Sequence, residues 1–260
     1  FDIILFVWQC AMLKNNRKIY NPFPTIVHSV LFDEVEELNK SLLHFIKELT
    51  NSQQDASDGD YFLATEGASQ PNVDIVKNFY GEVDCITQFV DDIMLPSSME
   101  WAKHHFSELT GSEEYGGDFD FTSWATHYTP GSWQTPHIHR DKIFTGVYFI
   151  KMPDSKKSLT NGANCTSDVQ NQPPDMQSEG AFVIQNPHLQ SSQPTIGGWT
   201  TSQEFMPKEG ELLIIPSWLS HYPKPFSSGE RCVIVFDARY NVDSSEINFN
   251  HTPIIRDNEI

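Results

Sequence analysis

Three histidines occupy positions from which they could share one metal ion. His137 and His139 form a His-x-His pair in TPHIHRDK, and His221 follows much later in PSWLSHYPKP. Residues two apart in an extended strand project to the same face, so the first pair can address a single ion. A third imidazole from a distant strand would close one face of an octahedron and leave the other positions open for a co-substrate and oxygen, the arrangement of a facial-triad iron centre. The spacing alone leaves other uses open, because His-x-His pairs also serve zinc hydrolases and occur on ordinary sheet surfaces.

The neighbourhood of His221 adds a second group. The run EGELLIIPSWLSHYPKPFSSGERCVIVFDARY reads as a strand over 211–215, a Pro-Ser-Trp-Leu corner, the histidine, a Pro/Gly/Ser turn and a returning strand that begins at Arg231. An arginine at the start of that strand reaches back toward the histidine, where its planar fork can grip a carboxylate through two parallel hydrogen bonds.

Several elements must hold these residues. Apolar residues at Val35, Leu38, Leu42, Phe45, Ile46 and Leu49 recur at helical spacing, which predicts an amphipathic helix over about 33–49. The polar stretch 51–72 reads as a loop, and 73–109 returns to helical spacing with a break at Pro96. After Gly117 the chain changes to short runs rich in aromatic and β-branched residues, which predicts strands over 119–128, 132–139, 143–151, 181–185, 211–215 and 231–239. The polar segments 152–179 and 186–207 read as long loops near a rim. Helices followed by strands imply a helical layer against one face of a β-sandwich or barrel. Trp124, Trp133, Trp199 and Trp218 are expected in the core rather than around a pocket.

At 260 residues the chain fits one domain. It carries 17 basic against 35 acidic residues, a formal charge of −18, and such a surface repels phosphate backbones, which argues against a nucleic-acid partner. Cys10, Cys85, Cys165 and Cys232 form no CxxC pair, so neither a zinc knuckle nor a redox dithiol is indicated, and a reduced, cytoplasmic setting is expected. The opening FDIILFVWQCAML is too short an apolar run to span a bilayer, and its basic residues come after it, unlike a signal peptide. No membrane association is expected. Met12 is a candidate initiator, which would set residues 1–11 outside the native protein.

From Trp124 to Tyr240 the chain resembles the 2-oxoglutarate- and iron(II)-dependent oxygenases, and most of all a branch of them common in phages and marine bacteria. The motifs that carry the resemblance are PHIHRDKIFTGVYFI, GAFVIQNPH and PKEGELLIIPSWLSHYPKPFSSGERCVIVFDARY. It implies a mostly β fold with a helical flank: a double-stranded β-helix, the jelly-roll or cupin-like barrel, over about 118–245, buttressed by helices over about 20–117. It also implies a virus-encoded or marine microbial origin. Fe(II) would be held by His137, His139 and His221, 2-oxoglutarate and O2 would be consumed, and ascorbate could support turnover. Most of that superfamily uses His-x-Asp, which His139-Arg140-Asp141 also satisfies, so Asp141 stands as the alternative to one of the first pair. The segment YTPGSWQTPH resembles the Tyr-x-Pro-Gly run of the AlkB-type dioxygenases, whose tyrosine precedes the first ligand by the spacing of Tyr128 to His137. This favours His139. Tyr128 would then hydrogen-bond 2-oxoglutarate beside Arg231, with Thr145 a further candidate.

The implied reaction is hydroxylation of a C–H bond in a protein or peptide side chain such as proline, or in a small metabolite, releasing succinate and CO2. Two other readings compete: an oxoglutarate-independent three-histidine iron dioxygenase, and a non-catalytic cupin-like binding protein. A ligand set of three neutral imidazoles would also leave the site more electropositive than one with a carboxylate.

Overall fold

The computed structural model describes residues 25–52, 65–110, 119–153, 179–187 and 202–240 of the chain. Its centre is a pair of antiparallel sheets. The larger has six strands in the order β1-β7-β4-β9-β3-β2, with β1 at His28–Leu31, β2 at Thr65–Ser69, β3 at Phe119–Gln134, β4 at Phe144–Lys151, β7 at Glu211–Pro216 and β9 at Arg231–Tyr240. The smaller has β6 (Ser202–Phe205), β5 (Phe182–Gln185) and β8 (His221–Pro223), in that order.

The inner strands FTGVYFIK, ELLIIP and RCVIVFDARY are apolar nearly throughout because both their faces are covered. The two-residue pleat divides them cleanly. Cys232, Ile234, Phe236 and Ala238 of β9 join a core shared with the helices, whereas Val233 and Val235 join the core between the two sheets. Phe182 and Ile184 of the smaller sheet meet Val147, Phe149 and Leu213 of the larger in that second core. Two facing antiparallel sheets with helices behind one of them form the expected double-stranded β-helix with its helical flank.

The helical layer begins with α1 (Glu36–Ser52), which buries Leu38, Leu42, Ile46 and Leu49 and places Glu36 and Glu37 at its N-terminus, where the helix dipole favours negative charge. Tyr148 of β4 donates its hydroxyl to Asn39 Oδ1 at 2.7 Å, pinning α1 to the sheet. Beyond it lie α2 (Ile75–Phe79), α3 (Asp84–Gln88), a π-helical turn (Phe89–Met94) and α4 (Leu95–Thr110). The expected break at Pro96 does not occur. Pro96 sits in the first turn of α4, and the wider turn before it absorbs the missing N–H while turning Phe89, Val90, Ile93 and Met94 into the core. Among the described residues no helix is long and apolar enough to cross a membrane.

Three expectations for the strands need correction. The loop expected over 51–72 contains β2, which pairs with β3; TEGAS has a single β-forming residue, Thr65, and its register shifts between Glu66 and Ala68, where Gly67 takes φ +73°. The loop expected over 186–207 ends in β6. The strand expected over 132–139 is instead the end of one long β3, which stops at Gln134. Cys10, Cys165, Trp199 and most of 152–179 lie outside the described residues.

Gly146 of β4 faces Phe236 of β9 directly across the ladder, and a Cβ at 146 would come within 2.1 Å of the Phe236 ring. That ring is itself held by Phe89 and Phe121, with centroids 6.4 Å and 6.1 Å away. Gly146→Ala should therefore destabilise the fold by roughly 1–3 kcal/mol through overpacking, read as a lower midpoint in denaturant unfolding. Adding Phe236→Leu should recover part of the loss; an unchanged midpoint in Gly146→Ala alone would contradict this packing.

Candidate active site

His221 opens β8, and the His-x-His segment lies against it. His137 and His221 exchange both backbone hydrogen bonds, at 3.1 Å and 3.0 Å, and the His139 N–H donates to Ser217 O at 2.9 Å. The segment is extended but too irregular for a strand, since Pro136 offers no N–H and Asp141, at φ +61°, turns the chain just beyond. His137 and His139 nonetheless point the same way. Ring centroids lie 4.5 Å apart for His137 and His221, 5.2 Å for His137 and His139, and 5.1 Å for His139 and His221. One nitrogen from each lies within 4.8 Å of the others.

The second nitrogen of each ring is already engaged. Nδ1 of His137 meets Thr135 O at 2.9 Å, Nδ1 of His221 meets Leu219 O at 2.8 Å, and Nδ1 of His139 meets Asp237 Oδ1 at 2.7 Å. A carbonyl or carboxylate oxygen only accepts, so each Nδ1 donates a proton to its partner and Nε2 is the nitrogen of each ring left for a metal. Burial, aided by the neighbouring His137, pushes the His221 pKa down to about 3, and burial likewise lowers that of His137. Both imidazoles are therefore neutral at neutral pH, the form that ligates a metal.

The three rings line a cavity between the sheets, with Val147, Phe149, Phe182 and Val233 on its walls and Tyr128 and Arg231 also lining it. Arg231 is buried, with its guanidinium carbon 5.5 Å from the Tyr128 ring centroid and 5.4 Å from that of Phe226. Its Nη2 donates to Gly180 O and, at 3.3 Å, to Lys224 O, but Nε and Nη1 find no partner among the described residues. Burial draws its pKa down to about 10, which leaves it charged at neutral pH. A buried donor without an acceptor costs about 1–3 kcal/mol, and more on a charged group. The cavity thus offers three imidazole nitrogens for a divalent metal and two guanidinium nitrogens, unpartnered among the described residues, for a carboxylate, a set that fits Fe(II) and 2-oxoglutarate.

Tyr128 is buried beside Arg231 and donates its hydroxyl to Gln134 Oε1 at 3.2 Å; burial raises its pKa to about 12, so it remains a donor. Thr145 is buried too, but its Oγ1 donates to Asp237 Oδ1 at 2.7 Å and it does not line the cavity. Asp141 is exposed and stands apart from the three-histidine cluster. Trp124 lines the cavity and stacks on His139 with centroids 5.6 Å apart, whereas Trp133 and Trp218, expected in the core, are 42% and 50% exposed. Asp237 and Gln134 escaped the sequence reading. Asp237 carried a usable signal: it lies an even number of residues after Arg231, and so on the same face of the strand.

No curated protein matches this sequence. A model of the family described as "Putative 2OG-Fe(II) oxygenase" matches residues 122–237, the span that contains the three histidines, Tyr128 and Arg231. Among solved structures, a prolyl-4-hydroxylase from Pseudomonas putida is 13% identical over 82% of this chain and 91% of its own, with a TM-score of 0.50. A prolyl hydroxylase from Trichoplax adhaerens, in complex with a peptide fragment of hypoxia inducible factor, is 13% identical over 82% and 83%, with a TM-score of 0.51. These two share the fold. Residues 122–237 are thus similar to the iron(II)- and 2-oxoglutarate-dependent oxygenases, within a chain that shares the fold of the two prolyl hydroxylases.

Proposed function

We propose that His137, His139 and His221 hold Fe(II), that Arg231 and Tyr128 hold the distal carboxylate of 2-oxoglutarate, and that the enzyme hydroxylates a C–H bond with release of succinate and CO2. One observation supports the assignment: three clustered imidazoles and an arginine with two nitrogens unpartnered among the described residues line the same cavity. The bound metal supplies the oxygen activation that no side chain can perform. The chain's own groups do the rest. Their Nδ1 hydrogen bonds orient the imidazoles before the metal arrives. The walls of Val147, Phe149, Phe182 and Val233 keep water from the guanidinium, which strengthens its pairing with a carboxylate.

The substrate on this reading is a peptide side chain such as proline or a small apolar-faced metabolite, because the cavity beside the histidines is walled by aliphatic and aromatic groups. The fold does not choose between them. The charge of −18 disfavours a nucleic acid. The chain acts as one oxygenase domain, with the helices over about 20–117 supporting the core over about 118–245.

With Fe(II), ascorbate and 2-oxoglutarate, the purified protein should form succinate. Substrate loss without succinate would replace this reading by oxoglutarate-independent oxygenation, and neither product would leave a binding protein. Arg231→Leu should raise the KM for 2-oxoglutarate about 10–100-fold, as expected from losing charged hydrogen bonds of roughly 1.5–3 kcal/mol; an unchanged KM would remove Arg231 from the co-substrate site. His139→Ala should abolish succinate formation while Asp141→Ala keeps it within about twofold. The reverse pattern would transfer the ligand role to Asp141.

A further inference from the structure

His139 differs from the other two histidines in what holds its ring. His137 and His221 each donate Nδ1–H to the carbonyl two residues upstream, a bond that any extended backbone can provide. His139 instead reaches to a carboxylate on β9, Asp237 Oδ1 at 2.7 Å. We infer that Asp237 is a positioning residue for the metal, fixing the His139 ring and supplying through it the negative charge that a three-imidazole ligand set lacks. The inference rests on the proposed three-histidine centre.

Its placement is hard to explain otherwise. Asp237 is buried on the cavity side of a strand whose other inward residues are Arg231, Val233 and Val235. A buried carboxylate is costly unless it is paired or hydrogen-bonded, and this one is held twice on the same oxygen. Thr145, its direct partner across the β4–β9 ladder, donates Oγ1 to Oδ1 at 2.7 Å. On the other side its ladder partner is Thr122, whose hydroxyl accepts from Lys142 Nζ at 3.1 Å. Thr145 therefore serves the carboxylate rather than the co-substrate.

The His139 ring is held at one edge and one face. Asp237 holds its Nδ1 edge, Trp124 stacks on one face at a 20° interplanar angle, and the backbone N–H is tied to Ser217 O. Nε2 lies at the opposite edge from the carboxylate. A carboxylate on Nδ1–H raises the basicity of the opposite nitrogen and places an anion within one imidazole of the ion. The centre is thus less electropositive than three neutral ligands alone would make it.

Anaerobic titration of the full chain with Co(II), followed by its visible absorption and by competition with a chelating dye, tests this without turnover. Asp237→Asn keeps the size and an acceptor oxygen but removes the charge; its Co(II) affinity should fall about 10–100-fold, as for other outer partners of ligating histidines. Thr145→Val, which loosens the carboxylate without removing it, should lose less and leave the band shape altered. A staple between β4 and β9 and nothing more would lower the unfolding midpoint of metal-free Asp237→Asn yet leave Co(II) affinity within about twofold of wild type, and that result overturns the inference. His221→Ala separates the layers. If it binds Co(II) like wild type, the three-histidine centre falls and this inference with it; if it loses Co(II) while Asp237→Asn does not, only the inference falls.

Discussion

A strand with helices on one face and a second sheet on the other has no side turned to water, so every polar group it carries must be matched within the protein or by a ligand. Strand β9 is in that position over residues 231–238. Its outward residues Cys232, Ile234, Phe236 and Ala238 pack beneath the helices, and its inward residues are Arg231, Val233, Val235 and Asp237. The two inward polar side chains differ in how well the protein satisfies them. Asp237 is bonded by His139 and Thr145, while Arg231 retains two nitrogens that are unpartnered among the described residues. That difference separates a group satisfied by the scaffold from the one proposed to bind an anion.

The same enclosure determines how the metal site is assembled. The smaller sheet is short, and its contribution is the backbone exchange that locks His137 to His221. Two of the three rings then take their orientation from carbonyls of their own segments, so strand placement alone aims them. The third comes from a segment that has left the ladder and is about to turn at Asp141, and it needs a side chain from the larger sheet. The proposed metal site is therefore a joint between the two sheets, and the helices bear on it by holding the larger sheet's outer face.

Much of this was legible in the residues. His137, His139, His221, Tyr128 and Arg231 converge on one cavity because their spacing encodes face and strand end, quantities that a two-residue period transmits reliably. The helix over 36–52 was visible in the repeat of Leu38, Leu42, Ile46 and Leu49. Strand β2 was not, because TEGAS is held as a strand by pairing with β3 rather than by its own propensity. Trp133 and Trp218 were misplaced for a related reason: an aromatic residue in a β region reports sheet propensity without saying which face it occupies. The link between His139 and Asp237 joins residues far apart in sequence, and only the β4–β9 register, with Thr145 opposite Asp237, brings it into view.

That link also bears on why position 139 holds a histidine. A carboxylate there would stand against the Asp237 carboxylate, and two like charges in a buried site disfavour each other's ionisation. An imidazole avoids the conflict by interposing a donor, Nδ1–H, toward the acid and a lone pair toward the metal. The two positions form a matched pair in which the charge has moved outward by one side chain. Because Asp237 is reached from β9 and its clamp Thr145 from β4, the pair depends on the register between those strands, the same register that seats Phe236 over Gly146 on the opposite face. The packing beneath the helices and the electrostatics of the metal site are set by one alignment.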